Sequence, residues 1–157
     1  MQGLMQGEVS QLLLSCTEDQ TGNSVLEITA APGSGCKFHF HSLFVKTLVP
    51  VEGTLAYQAK GYDLKLLRPG DSISIAPGTV HRYFNSGTGQ IRYRIIIEPG
   101  NLSYERGWQW MNEMALDGKL NKRAQPRSLS KRMKIRVLQD VHWGGWKRSL
   151  NLVMRFF

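Results

Sequence analysis

The sequence predicts an all-β sandwich or barrel followed by α-helices. Three observations carry this. Short apolar or alternating runs recur through residues 8–98, separated by turn residues and showing no helical period. Sixteen glycines suit a chain of many turns. Beyond residue 100 the apolar spacing changes to three or four, and the charge balance changes with it.

The predicted strands run in order. Residues 9–14 form the first, closed by the turn cluster 18–24. Residues 25–29 follow, then Pro32-Gly-Ser-Gly35. Residues 38–41 and 46–51 come next, ending at Glu52-Gly53. Residues 54–58 and 62–67 flank Ala59-Lys60-Gly61, a hairpin-like connection. After the turn Arg68-Pro-Gly-Asp71, residues 72–76 alternate, with Ile73 and Ile75 on one face. Residues 80–84 lie between Pro77-Gly78 and Asn85-Ser-Gly-Thr-Gly89, a turn that Asn85 is expected to close. Residues 90–97 are the last run. Tyr57, Tyr83, Tyr93, Arg92 and Arg94 sit on these strands, facing either the interior or solvent, because a bulge shifts parity.

Residues 1–100 hold 8 Lys/Arg and 8 Asp/Glu, whereas residues 101–157 hold 12 and 4, which is the whole net charge of +8. The chain therefore divides into a β-barrel domain, 1–100, and a basic C-terminal helical extension, 101–157. The extension is expected to pack on the barrel or at a dimer interface. Its first helix is predicted over 102–116, with Ser103 as N-cap and Tyr104, Trp108, Met111 and Ala115 on one face. A second is predicted over 128–139, with Leu129, Met133, Arg136 and Val137 in register. A third amphipathic piece spans 146–157, after Trp143-Gly-Gly-Trp146. The basic residues read first as a solvated helix face. Peripheral contact with an anionic membrane surface is the second reading. Nucleic acid is disfavoured as a partner, since no reader motif is present.

Two cysteines, Cys16 and Cys36, are too few for a disulfide framework. Both read as buried small apolar residues rather than nucleophiles. Residues 1–8 lack a charged and apolar leader pattern. Reduced thiols and a cytoplasmic setting are the expectation.

Chemistry concentrates at Gly35–Gly53. His39 and His41 form an H-x-H pair, and residues two apart on a strand share a face. A third histidine, His81, ends Pro77-Gly78-Thr79-Val80-His81. Three imidazoles facing one space can hold a divalent metal. The alternative is three inward histidines hydrogen-bonded to one another and to water. Tyr83 shares a face with His81 on a regular strand and is the second candidate for a ligand-binding group. The fourth histidine, His142, matches no motif and is expected exposed or packed within the tail.

The order of these residues resembles the cupin superfamily. Its first motif runs G, five residues, H-x-H, three or four residues, E, six residues, G. Here His39 and His41 are followed by four residues, Lys46, six residues and Gly53, with Gly33 or Gly35 ahead of the pair. Its second motif runs G, five residues, P-x-G, two residues, H, three residues, N. Here the match is Gly70, Pro77-Gly78, His81 and Asn85, with Ala76 where the proline belongs. The resemblance covers residues 8–98. It implies a double-stranded β-helix, or jelly-roll barrel, often dimeric, with a small-molecule ligand in the barrel. It also implies a transition metal (Fe, Mn, Ni or Zn) on His39, His41 and His81. Gly118-Lys119-Leu120-Asn121 resembles a stretch between helices in cupin-like proteins that carry such an extension.

One departure changes the chemistry. In the family the motif-one Glu is a metal ligand; this chain has Lys46 there. An ammonium has no lone pair to donate and repels a dication. Either the histidines hold a metal alone, with Lys46 swung aside or deprotonated, or the site is metal-free. Lys46 then anchors an anionic ligand, serves as an acid or base, or only snorkels to the barrel mouth. The resulting expectation is a small-molecule-binding cupin with no assigned reaction. Its alternatives are a metal-dependent oxygenase or isomerase, and a metal-free epimerase-type enzyme using His and Lys46.

Overall fold

The computed structural model describes residues 8–18, 22–121 and 125–143. In chain order the elements are β1 (Glu8–Leu14), β2 (Ser24–Ala30), β3 (His39–Phe40), β4 (Val45–Glu52), β5 (Leu55–Ala59), β6 (Lys65–Leu67), β7 (Ile73–Ile75), β8 (His81–Phe84), β9 (Ile91–Glu98), α1 (Leu102–Leu116), α2 (Leu129–Leu138) and β10 (His142–Trp143). The nine strands expected before residue 100 are present. The largest difference lies at 62–67, where only Lys65–Leu67 is strand. There the amide of Tyr62 donates to the carbonyl of Ala59 (3.1 Å) and Gly61 is left-handed (φ +86°), so the turn consumes residues that the apolar pattern gave to the strand.

Alternation decides which residues face inward. β2 buries Ser24, Leu26, Ile28 and Ala30; β9 buries Ile91, Tyr93, Ile95 and Ile97; β4 buries Lys46, Leu48 and Pro50. These strands are the middle of one antiparallel sheet, ordered β1-β2-β9-β4-β7. The second sheet is ordered β10-β3-β8-β5-β6. Leu26, Ile28, Leu48 and Ile95 of the first meet Leu55, Tyr57, Leu67 and Tyr83 of the second in one core. This two-sheet jelly roll is the predicted class. Tyr57, Tyr83 and Tyr93 face inward, whereas Arg92 and Arg94 lie outside, paired with Glu27 at 3.3 and 3.1 Å. Asn85 is buried and closes the loop after β8, its Nδ2 donating to the carbonyls of Ala30 and Gly89.

α1 docks on the barrel through a buried carboxylate. Glu105 accepts from Ser24 Oγ (2.5 Å), the Cys16 amide (2.8 Å) and Ser15 Oγ (2.8 Å). Burial by itself raises a carboxyl pKa, but these hydrogen bonds outweigh it and hold Glu105 below its ordinary value. Farther along the helix, Asn112 Nδ2 donates to the carbonyl of Ser10 (2.8 Å). The N-cap is Asn101 rather than Ser103. Its backbone is extended and its side chain accepts from the Tyr104 amide, so the helix begins before Ser103 can cap it.

Of the stripe expected on α2, Met133 and Arg136 are half-buried, whereas its two ends are not covered. Ile135 is buried, while Leu129 and Val137 are each 68% exposed. Lys131, Ile135 and Leu138 share the covered side. Basic side chains supply part of that cover: Lys134 lies over Trp110 and Arg136 over Trp143, at 5.2 and 4.6 Å from the ring centroids. The α1–α2 crossing needs Gly107, where a Cβ would stand 2.7 Å from Gln139 Cγ. Among the described residues no helix is long and apolar enough to cross a membrane. The third predicted tail element, 146–157, lies outside the described residues.

Candidate functional site

β3 and β8 are antiparallel neighbours, with His39 directly opposite His81. Opposed residues share a face, and the two imidazoles meet with centroids 4.5 Å apart. His41 follows one residue beyond β3. Its carbonyl accepts from the Gly78 amide at 2.7 Å, which ties the turn before β8 to the H-x-H segment. All three imidazoles are buried, and one nitrogen from each lies within 4.8 Å of the others.

Every ring is oriented through its Nδ1. His39 Nδ1 is 2.7 Å from the Lys37 carbonyl, and His81 Nδ1 is 2.9 Å from the Thr79 carbonyl. His41 Nδ1 is shared between the carbonyls of Gln139 (3.1 Å) and Asp140 (3.0 Å). A carbonyl oxygen only accepts, so each Nδ1 carries a hydrogen. Burial, then the neighbouring Lys46 charge, lowers the pKa of His39 to about 2, that of His81 to about 4, and that of His41 well below the ordinary value. The rings are therefore neutral near pH 7, and each Nε2 presents a bare lone pair.

These lone pairs converge. His39 Nε2 and His41 Nε2 lie 3.0 Å apart. With both hydrogens on Nδ1, that contact sets two lone pairs against each other, an arrangement that calls for a cation. His81 Nε2 is buried with no hydrogen-bond partner among the described residues.

Lys46 brings a cation to the same place. It is 2% exposed, so it does not snorkel to the mouth. Its Nζ is 2.8 Å from His41 Nε2 and 3.4 Å from Tyr83 Oη. It also lies 5.3 and 5.4 Å from the ring centroids of Tyr83 and Tyr104. The structure thus brings together all five residues singled out in the sequence: His39, His41, His81, Lys46 and Tyr83. Tyr104, from α1, joins them and was placed by its spacing only on a helix face. The carbonyls of Gln139 and Asp140 had no sequence signal at all. His142 is half-buried; it pairs with Phe40 across β10–β3, and its Nε2 is 2.7 Å from Asp140 Oδ1.

The donor set, three neutral imidazoles, suits a divalent transition metal, and the His39–His41 pair already has the spacing for one, whereas a group spread up to 4.8 Å must draw together to hold an ion through all three. Two nitrogens each roughly 2.1 Å from one ion, at right or tetrahedral angles, lie about 3.0–3.4 Å apart. The His39–His41 separation of 3.0 Å falls in that interval. Backbone carbonyls on the remote nitrogens are also the outer support that metal-bound imidazoles use. An ion held by all three Nε2 atoms must displace Lys46 from His41.

The sequence profile of the cupin domain matches residues 26–98, which include both histidine motifs. Residues 26–98 are a cupin domain. No curated protein sequence matches this chain. Among solved structures, it is similar to the cupin domain of an XRE family transcriptional regulator from Enterobacter cloacae (22% identity, TM-score 0.50, covering 59% of this chain and 96% of that one). It is likewise similar to an uncharacterized conserved protein with a double-stranded β-helix domain from Klebsiella pneumoniae (24%, TM-score 0.52, 61% and 80%). A third is ectoine synthase from P. lautus (16%, TM-score 0.52, 61% and 67%). At these identities the likeness establishes the cupin fold and leaves the reaction open.

Proposed function

We propose that this cupin binds a small anionic, oxygen-bearing molecule beside a divalent transition metal held by His39, His41 and His81. The observation that supports this reading is that one nitrogen from each of three buried imidazoles lies within 4.8 Å of the others while every Nδ1 is committed to a backbone carbonyl, which leaves Nε2 to bind. A bound ion would supply Lewis acidity toward an oxygen of the ligand. Lys46, displaced from His41, would hold the ligand's negative charge, and Tyr83 would present its hydroxyl to the same space. The reaction class that suits these groups is oxygenation or isomerisation.

A second reading rests on a separate observation. Lys46 Nζ is already 2.8 Å from His41 Nε2 and near two tyrosine rings. An ammonium in that position is itself the cation the imidazoles call for. On this reading the barrel is metal-free, and His41 and Lys46 pass a proton to and from the ligand.

Elemental analysis of untagged protein, beside a His41→Ala variant, separates the two. Near-stoichiometric metal that disappears in His41→Ala supports the metal reading. Protein that stays metal-free after anaerobic reconstitution with Fe²⁺, Mn²⁺, Ni²⁺ and Zn²⁺ overturns it in favour of the second.

A further inference from the structure

We infer that Asp140 is a positioning residue for this site, closing the C-terminal segment as a clasp that fixes which nitrogen His41 turns toward the other imidazoles. The clasp grips three consecutive residues. The carbonyls of Gln139 and Asp140 accept from His41 Nδ1 at 3.1 and 3.0 Å. The Asp140 carboxylate then takes the next two residues: Oδ2 accepts from the amides of Ser42 (2.5 Å) and Leu43 (2.9 Å), and Oδ1 from Ser42 Oγ (2.9 Å). His142 Nε2 lies 2.7 Å from the same Oδ1. His142 and Trp143 pair with Phe40 and His39, so β10 covers the free edge of the strand that bears the histidines.

The backbone of Asp140 shows that the side chain is what the position requires. Its φ is +50°, making it the left-handed non-glycine residue among those described. Glycine would adopt that conformation freely, and among other residues aspartate reaches it when its short side chain is hydrogen-bonded. The carboxylate is 7% exposed and engaged on both oxygens. A residue held in a disfavoured conformation by its own side-chain contacts fixes the carbonyls on either side of it. Those carbonyls select the His41 tautomer.

The inference rests on the reading that His41 Nε2 is the working nitrogen, and its test does not depend on metal. Long-range ¹H–¹⁵N NMR of the full-length, metal-free protein reads the tautomer of each histidine. The expected result is Nδ1–H for His39, His41 and His81 in the parent. In Asp140→Ala, His41 alone should shift toward Nε2–H or average between forms. His41 unchanged in a folded Asp140→Ala protein overturns the inference. If that variant does not fold, Asp140→Asn, which keeps one acceptor oxygen, decides: amide exchange at Ser42 and Leu43 should quicken about tenfold while His41 shows partial loss of the Nδ1–H form. Unchanged exchange and tautomer overturn it there too. Where the parent binds Ni²⁺, affinity should fall about tenfold or more in Asp140→Ala and recover in part in Asp140→Asn. A parent that binds no metal defeats the proposed function and leaves the tautomer result to decide this one.

Discussion

Nζ of Lys46 stands 2.8 Å from Nε2 of His41. That nitrogen is the one a metal would need, so lysine and metal compete for a single lone pair. Lys46→Glu replaces the competitor with an anionic oxygen donor. It should bind Mn²⁺, Ni²⁺ or Fe²⁺ at least about tenfold more tightly than the parent, a gain of about 1.4 kcal/mol. Lys46→Met should fall between the two. Calorimetric titration reads the order, and equal or weaker binding by Lys46→Glu shows that position 46 does not control the metal.

The neutral histidines make the fold sensitive to mild acid. His39 and His81 have folded-state pKa values of about 2 and about 4, against 6.5 for the free side chain. As pH drops below 6.5 the unfolded chain takes up protons that the folded chain refuses. The contribution is therefore intact above pH 6.5 and is lost as pH falls, at up to about 1.4 kcal/mol per pH unit per histidine. For His81 the loss levels off near pH 4. Urea midpoints between pH 7.5 and 4.5 should decline in the metal-free parent and decline less steeply in His81→Gln. Parallel curves would show that His81 is not the group responsible.

Glu105 should act on stability rather than on the site. Glu105→Ala leaves the Cys16 amide and the hydroxyls of Ser15 and Ser24 without their acceptor. A loss of about 3 kcal/mol follows, roughly 6–12 °C in Tm for a chain of this length. Thermal denaturation by circular dichroism measures it. A change within about 2 °C would mean that water replaces the carboxylate without penalty.

Gly107→Ala tests the same coupling as the clasp from the helix side. The new methyl group would press on Gln139 Cγ at 2.7 Å, and the Gln139 carbonyl is one of the two that hold His41. Stability should fall by about 1–3 kcal/mol. The His41 Nδ1–H signal should weaken with it. Lost stability with an unaltered His41 signal would show that helix docking and imidazole orientation are independent.

Where side-chain direction follows from parity, the sequence was readable. Lys46 faces inward with Leu48, and His81 shares a face with Tyr83, because strand residues two apart must do so. The H-x-H spacing anticipated His39 and His41 together, although His41 lies one residue past the strand. Contacts closed by tertiary pairing leave no such mark. Asp140 reaches Ser42 across 98 positions, and Glu105 reaches Ser24 across 81, with nothing local to either residue that names its partner. On α2 apolarity alone does not mark the covered face: Ile135 is buried and Arg136 half-buried, while Leu129 and Val137 are exposed.

The pairing of β10 with β3 joins His142 to Phe40, strands made about a hundred residues apart. On the ribosome the histidine pair emerges early, while the carbonyls that orient His41 come only with residues 139 and 140. A nascent chain stopped at residue 130 already holds all three imidazoles yet lacks both carbonyls that accept from His41 Nδ1. Maturation of the centre is thereby timed to synthesis of the tail, and a prematurely ended polypeptide keeps the barrel's sequence without its oriented centre.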